Sequence, residues 1–164
     1  FAHPGVASLG WGSVVRQLAA GLGLTLDEPL VERIERVAAD RDYTTVSVSV
    51  PEGTLAALHF EVAGQVDGVD RVVLEHYTRT HPDQCPHWPV PDHGAGCYRV
   101  VVHGEPEMSV ELSHHGRHGD HNVSGMIVTA MRLVNSVPAV VAAAPGIVTA
   151  LDLPVITGRG LVRR

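Results

Sequence analysis

The fold is decided by residues 119–154, GDHNVSGMIVTAMRLVNSVPAVVAAAPGIVTALDLP. Apolar residues recur there at every third or fourth position, which aligns them along one side of a helix. This stripe comprises Val123, Met126, Ile127, Ala130, Met131, Val134 and Val137. The pattern predicts a long amphipathic helix that buries the stripe and ends where Pro138 breaks the backbone hydrogen bonding. A second, short helical run is expected to end at Ala144-Pro145-Gly146.

The start of the chain carries a similar pattern. From about Ser8 to Leu22 the apolar residues again fall on one helical face, with Arg16 and Gln17 outside it. That face comprises Trp11, Val14, Val15, Leu18, Ala19 and Leu22. The sequence therefore predicts a first helix that packs on a sheet.

Strand patterns occupy the middle of the chain. Residues 44–50 alternate valine with serine or threonine, which predicts one half-buried strand. Residues 54–66 and 69–80 flank Asp67-Gly68, a dipeptide typical of a tight hairpin, so these two segments should be antiparallel neighbours.

Two further short strands are expected at residues 97–102 and 108–112, around the turn Gly104-Glu105-Pro106. The proline-rich segment 80–96 between the two hairpins is interpreted as an ordered excursion. A helix, a mixed or antiparallel sheet and a closing helix indicate an α+β fold with the helices packed on one sheet face.

Composition excludes several classes of function. The formal charge of -6 and the pI near 6.0 argue against nucleic acid or an anionic membrane as the main partner. All 12 basic residues are arginine, so the chain can form no lysine Schiff base and carries no P-loop lysine. No apolar run is expected to be long enough to span a bilayer, and the cytoplasm is the expected compartment.

Histidine is abundant, with 11 in the chain, and four of them crowd the sequence SHHGRHGDHN at residues 113–122. A metal site would need these imidazoles to converge, and His114 and His118 have the spacing of one helical face. Gly116 and Gly119 argue against a helix there, so a polar loop that ends in a helix cap is favoured. Either Asp120 or Asn122 would supply that cap.

A second constellation, Cys85, His87, His93 and Cys97, lies among the prolines. Its Cys-x-His and His-x3-Cys spacings match no common structural zinc site, so a pair of reduced, unreactive thiols is favoured. The sequence therefore predicts no metal site. Trp88 in the same segment is either a lid over an apolar substrate or, as is favoured, an anchor to the core.

The block from Asp120 to Pro154 resembles the C-terminal domain of dihydrodipicolinate reductase-like NAD(P)-dependent dehydrogenases, in the branch of 2,4-diaminopentanoate dehydrogenase and native amine dehydrogenases. Residues 6–27 and 75–79 add to this resemblance more diffusely. Complete members begin with a nucleotide-binding Rossmann domain marked by a strand, GxGxxG and a helix. Gly21-Leu22-Gly23 follows a helix and lacks the third glycine. Residues 1–164 are therefore interpreted as one substrate-binding and oligomerisation domain, without the Rossmann domain.

The resemblance implies that the loop entering the last helix faces the cleft where nicotinamide and substrate meet. His118, Asp120, His121 and Asn122 are the cleft candidates on that loop, with pure helix capping as the alternative. Trp11 falls in the region that lines the substrate pocket in amine dehydrogenases.

His76 shares the apolar strand face of Val72 and Leu74, where it is either a satisfied core residue or a pocket residue. No catalytic residue is assigned, because the resemblance implies that the key acidic group comes from the nucleotide-binding half.

The resulting expectation is the substrate-binding and dimerisation domain of an oxidoreductase that acts on C–N bonds, of amine dehydrogenase or imine reductase type. NAD or NADP would be bound mainly by the absent domain, the substrate would be an amine or imine, and a homodimer would form through the sheet. The chain alone is not expected to be active. The alternatives are a free-standing dimeric binding module and a His-rich metal-binding domain.

Overall fold

A computed structural model of the protein describes residues 3–45, 47–116 and 118–158. The chain divides into two compact units, Phe1–Pro89 and Val90–Arg164. The first unit contains α1 (Val6–Gly21), β1 (Val31–Ala38), β2 (Tyr43–Thr44), β3 (Ser49–Val50), β4 (Leu55–Val66) and β5 (Val69–Arg79). The second contains β6 (Tyr98–Val102), β7 (Met108–Leu112) and α2 (His121–Ala142). All strand pairs are antiparallel, which confirms the α+β class.

The main sheet has the strand order β1-β4-β5. Its hairpin β4–β5 turns at Asp67 and Gly68, which have φ angles of 54° and 72°, as a type I′ turn requires. The predicted hairpin is confirmed. Strand β1 has the sequence VERIERVA and was not predicted, because charged residues occur on both of its faces and weaken the alternation.

Helix α1 packs on one face of this sheet through residues spaced four apart. Ala7, Trp11, Val15 and Ala19 form that row, and they meet a core of Leu58, Phe60, Val62 and Val72. The predicted helix is confirmed, but its buried face is narrower than predicted. Val14, Leu18 and Leu22 form a second apolar row that stays exposed, Leu22 by 68%.

The strand predicted over residues 44–50 is wrong. The chain instead forms the two-residue strands β2 and β3, which pair with each other across a turn. The Thr45 hydroxyl oxygen accepts hydrogen bonds from the backbone N–H groups of Ser47 and Val48, at 3.2 and 3.0 Å. This local side-chain bonding competes with an extended ladder and favours the turn. Residue 46 lies outside the described residues.

In the second unit, β6 and β7 pair as the predicted hairpin around residues 103–107. Helix α2 corrects two expectations, since Pro138 lies inside it and residues 143–158 form no separate short helix. Proline has a helical φ, so it removes one hydrogen bond to the preceding turn without forcing the helix to end. The predicted stripe is also not buried: Met126 is 66% exposed, and Ser124 is the buried residue of α2.

By length and composition alone, α2 is able to cross a membrane, with 22 residues and a mean hydropathy of 1.5. The expectation that no apolar run is long enough to span a bilayer is therefore wrong by the length and the hydropathy of α2. The core helices of soluble proteins meet the same measures, so this finding assigns no membrane to the chain.

Candidate functional site

Three side chains of the first unit form a group that we call the aromatic cluster. Its members are Trp11, Phe60 and His76. The rings of Trp11 and Phe60 lie 4.8 Å apart, and those of Phe60 and His76 lie 5.0 Å apart. Phe60 is fully buried and is the cross-strand partner of His76. The structure thus joins two sequence candidates from different elements, Trp11 and His76, through a third ring that the sequence did not single out.

His76 lies on the helix-facing side of the sheet with Val72 and Leu74, as predicted. Burial lowers the pKa of its imidazole, although the residue keeps part of its surface in solvent. A neutral imidazole beside aromatic rings can accept a hydrogen bond from an amine N–H, while the rings contact apolar groups or attract a cation.

The start of α2 forms a second candidate, which we call the helix-entry site and define as Tyr98, His114, His121, Asn122 and Ser124. Asp120 precedes it and caps the helix, because its carboxylate accepts a hydrogen bond from Val123 N–H at 3.0 Å. The predicted cap is therefore confirmed at Asp120.

His121 is held tightly within this site. Its ring stacks on that of His114 at 4.7 Å, and its Nδ1 lies 3.2 Å from the His114 carbonyl oxygen. Since a carbonyl only accepts, Nδ1 carries the hydrogen. Gly96 runs against the same ring, where an added Cβ would come within 2.5 Å of Nε2.

An open groove of about 640 Å³ lies beside α2. His121 and Asn122 line its polar end, and Met126, Ala130 and Leu133 line its apolar part. Two of the four predicted loop residues therefore reach the groove. Asp120 serves as the cap, and His118 is exposed and is not among the lining residues.

His114 also belongs to this site, although the sequence did not select it as a cleft residue. The Ser124 hydroxyl donates to the His121 carbonyl at 2.9 Å, and His114 Nδ1 lies 2.5 Å from the same hydroxyl oxygen. With that hydroxyl proton committed, Nδ1–H donates and Nε2 is an acceptor. His114 Nε2 is buried and has no hydrogen-bond partner among the described residues. The sequence places His114 in the histidine-rich segment 113–122, but its contact with Ser124 depends on tertiary structure.

A third group, which we call the His59 cluster, lies on the sheet face opposite α1 and comprises Glu35, His59, Glu61, Glu75 and Tyr77. His59 Nε2 lies 2.9 Å from a Glu75 carboxylate oxygen, and its ring stacks on Tyr77 at 4.1 Å. Sequence reasoning missed this cluster. The alternation of β4 and β5 places each residue on this face, but only the strand register brings them side by side.

Neither metal constellation considered from the sequence is supported by the described residues. Among them, three His, Cys, Asp or Glu ligand atoms lie within 4.8 Å of one another in one group, His59, Glu61 and Glu75. Burial raises the pKa of both thiols, Cys85 and Cys97, which favours their protonated form over the thiolate that binds metal. Trp88 is buried against Ala57 and Cys85, in agreement with the anchoring role.

Comparisons with known proteins agree with this architecture. A protein named amine dehydrogenase from Streptomyces virginiae is 39% identical over 153 residues, which cover 92% of this chain and 42% of that protein. A 2,4-diaminopentanoate dehydrogenase from Acetoanaerobium sticklandii is 26% identical and is matched over 90% of this chain and 38% of its own length. The chain therefore spans about two fifths of the curated relatives it matches.

The structure of an amine dehydrogenase from Mycobacterium smegmatis has the same fold, with a TM-score of 0.61 at 19% identity. The match covers 90% of this chain and 39% of that one. Residues 5–161 also match the profile of a family described as the 2,4-diaminopentanoate dehydrogenase C-terminal domain. This chain belongs to the 2,4-diaminopentanoate dehydrogenase C-terminal domain family.

Proposed function

We propose that this chain is the substrate-binding and dimerisation domain of an NAD(P)-dependent oxidoreductase that acts on the C–N bond of an amine or imine. The observation that carries the proposal is the aromatic cluster, in which Trp11, Phe60 and His76 lie in ring contact. The 39% identity to an amine dehydrogenase supports the choice of substrate class.

The aromatic cluster suits an amine with an apolar body. Trp11 and Phe60 would contact the carbon skeleton, and the neutral imidazole of His76 would accept a hydrogen bond from the substrate nitrogen. Such contacts orient the C–H bond that gives up hydride and keep water away from an imine product.

NAD or NADP would supply the hydride acceptor, bound mainly by a nucleotide-binding domain outside this chain. In the second unit, His118, Asp120, His121 and Asn122 are the proposed cleft residues, as the family resemblance implies. We expect the 164-residue chain by itself to reduce no cofactor.

Substitution of the cluster tests this proposal in the product of the complete gene. His76→Ala and Trp11→Ala should each lower kcat/KM for an amine at least about tenfold, which corresponds to roughly 1.4 kcal/mol of lost transition-state binding. His103→Ala is the matched control, because its side chain is 81% exposed, and it should leave kcat/KM unchanged. Wild-type kinetics in both cluster variants would rule out a substrate role for the cluster.

The sheet face opposite α1 is the proposed dimerisation surface. It presents Val73 and Glu75 of β5 beside Glu61 of β4, and Val73 is 46% exposed. We expect light scattering to give the mass of a dimer at micromolar concentration. Val73→Arg should lower the measured mass to that of a monomer. Val48→Arg, at a valine that is 52% exposed in the β2–β3 turn, should leave the dimer intact. A wild-type monomer would contradict this part of the proposal.

A further inference from the structure

The His59 cluster gathers potential metal ligands from three strands. His59 and Glu61 lie on β4, Glu75 lies opposite Glu61 on β5, and Glu35 lies opposite His59 on β1. All four therefore point to the sheet face that α1 does not cover, and the ladder hydrogen bonds fix their spacing.

The spacing of the ligand atoms fits a divalent cation. His59 Nε2 is 2.9 Å from Glu75 Oε1 and 4.0 Å from Glu61 Oε1. Ligands at the usual zinc distances of about 2.0–2.2 Å stand roughly 3.4 Å apart in a tetrahedral site. The two observed distances bracket this value, so small side-chain rotations bring the three atoms around one ion.

The second oxygen of Glu61 is already committed. Arg33 binds Glu61 Oε2 at 2.7 Å and Asp70 at 2.9 Å, which fixes the Glu61 carboxylate and leaves Oε1 facing His59. The second nitrogen of His59, Nδ1, faces a Glu35 carboxylate oxygen at 3.7 Å. A carboxylate behind a ligating imidazole is the usual outer partner in zinc sites, because it orients the ring and raises its basicity.

The cluster is also electronegative and partly enclosed. Glu35, Glu61 and Glu75 each place a carboxylate oxygen within 4.0 Å of a ring nitrogen of His59. Trp88 packs edge-on against the rings of both His59 and Tyr77, at 5.9 and 5.4 Å. These rings exclude water from one side of the cluster. Because charges attract each other more strongly where there is less water, the carboxylates there attract a cation more strongly.

We propose that His59, Glu61 and Glu75 form a binding site for a divalent transition cation of the zinc type, with Glu35 orienting His59. Its chemistry, one imidazole and two carboxylates, suits Zn²⁺ and leaves a fourth position for water. The cation ties β4 to β5 on the face opposite α1. The site does not rest on the proposed enzymatic activity, although Glu61 and Glu75 also lie on the sheet face proposed for dimerisation.

The test is a calorimetric titration of Zn²⁺ into the untagged, chelator-treated 164-residue chain. We expect one ion per chain, with at least tenfold weaker binding in Glu61→Gln and in Glu75→Gln, which keep the side-chain shape. Glu35→Gln should weaken binding by about 10–100-fold, as outer-shell changes do. Glu107→Gln is the matched control, since Glu107 and His103 form an exposed His–Glu pair at 3.6 Å, and it should bind as wild type.

Absence of zinc binding by the wild-type chain would overturn the proposal, and so would either of two results with the variants. One is wild-type affinity in both Glu61→Gln and Glu75→Gln. The other is zinc binding that is lost in His118→Ala with His121→Ala, which would assign the ion to the histidine loop. If a glutamine variant loses its fold without zinc, the midpoint of thermal unfolding with added Zn²⁺ decides instead. Added Zn²⁺ should raise the unfolding midpoint of the wild type, and it should raise the midpoints of Glu61→Gln and Glu75→Gln less. An ion that binds only the folded state stabilises that state by mass action.

Discussion

At the residue scale, His76 shows how neighbours decide what a side chain can do. Its sequence position, between apolar strand residues, allowed either a core or a pocket role. Phe60 stacks on its ring, and burial of part of the imidazole lowers its pKa, which favours the neutral form. A neutral ring can accept a hydrogen bond from an amine, which a protonated ring cannot do.

The lowered pKa of His76 predicts a pH dependence of stability. An unfolded histidine titrates near 6.5, and the folded His76 titrates lower, so between the two values the unfolded state binds more protons. The contribution is present above about pH 6.5 and is lost as the pH falls through the folded pKa. In urea unfolding at about pH 7.5 and about pH 5.5, wild type should lose more stability than His76→Phe. His103→Phe should behave as wild type, and identical losses in all three proteins would contradict the prediction.

Gly64 reports how closely α1 and its following loop approach the sheet. A Cβ at this position would lie 2.6 Å from Leu26 Cδ1 and 2.9 Å from Val15 Cγ1. Gly64→Ala should therefore cost about 1–3 kcal/mol of unfolding free energy by overpacking. Gly10→Ala is the control, because nothing lies within 4 Å of its added Cβ, and it should stabilise α1 by about 0.5–1 kcal/mol. Equal stability of the two variants would mean that the contact at Gly64 is loose.

At the scale of elements, α2 depends on its first turn. The Asp120 carboxylate satisfies the backbone N–H of Val123, which no residue within the helix can do. Asp120→Ala should lower the free energy of unfolding by about 1 kcal/mol and reduce the helical circular-dichroism signal. Asp120→Asn keeps an acceptor oxygen and should stay within a few tenths of wild type. Full stability of Asp120→Ala would contradict the capping role.

The sequence predicted well the features that depend on local contacts. The hairpin at Asp67-Gly68 and the cap at Asp120 depend on residues close in the chain, so their patterns are complete in the sequence. Strand β1 was not predicted, because charged residues on both of its faces hide the alternation of apolar and polar residues. The β2–β3 turn was predicted as a strand, because the hydrogen bond from Ser47 N–H to the Thr45 hydroxyl is not visible in the alternating pattern. The His59 cluster needs the register of three strands, which no single segment carries.

The apolar side of α2 shows that packing between elements is also hard to predict from sequence. Periodicity predicted correctly which residues share a face of the helix, but it cannot say what covers that face. In this chain Met126, Ile127 and Val134 are each more than half exposed. Pro138 was expected to end the helix from its residue type alone, yet the structure accommodates it within the helix.

At the scale of the whole molecule, the chain is one family domain that spans about two fifths of its curated relatives. The aromatic cluster and the helix-entry site belong to different compact units of that domain. We propose that the first contacts the amine, and the second keeps its own proposed role as a cleft-lining site. The proposed activity also requires a nucleotide-binding domain, which we expect to hold NAD or NADP.

The most direct measurement is the reduction of NAD⁺ and NADP⁺ by the product of the complete gene, followed by absorbance with a panel of primary amines and diamines. We expect the reduction to depend on an amine and to proceed with at least one of the two cofactors. The rate of reduction should be lower in His76→Ala. The 164-residue chain assayed alongside should be inactive. Absence of amine-dependent reduction with both cofactors, in a folded full-length protein, would contradict the proposed function.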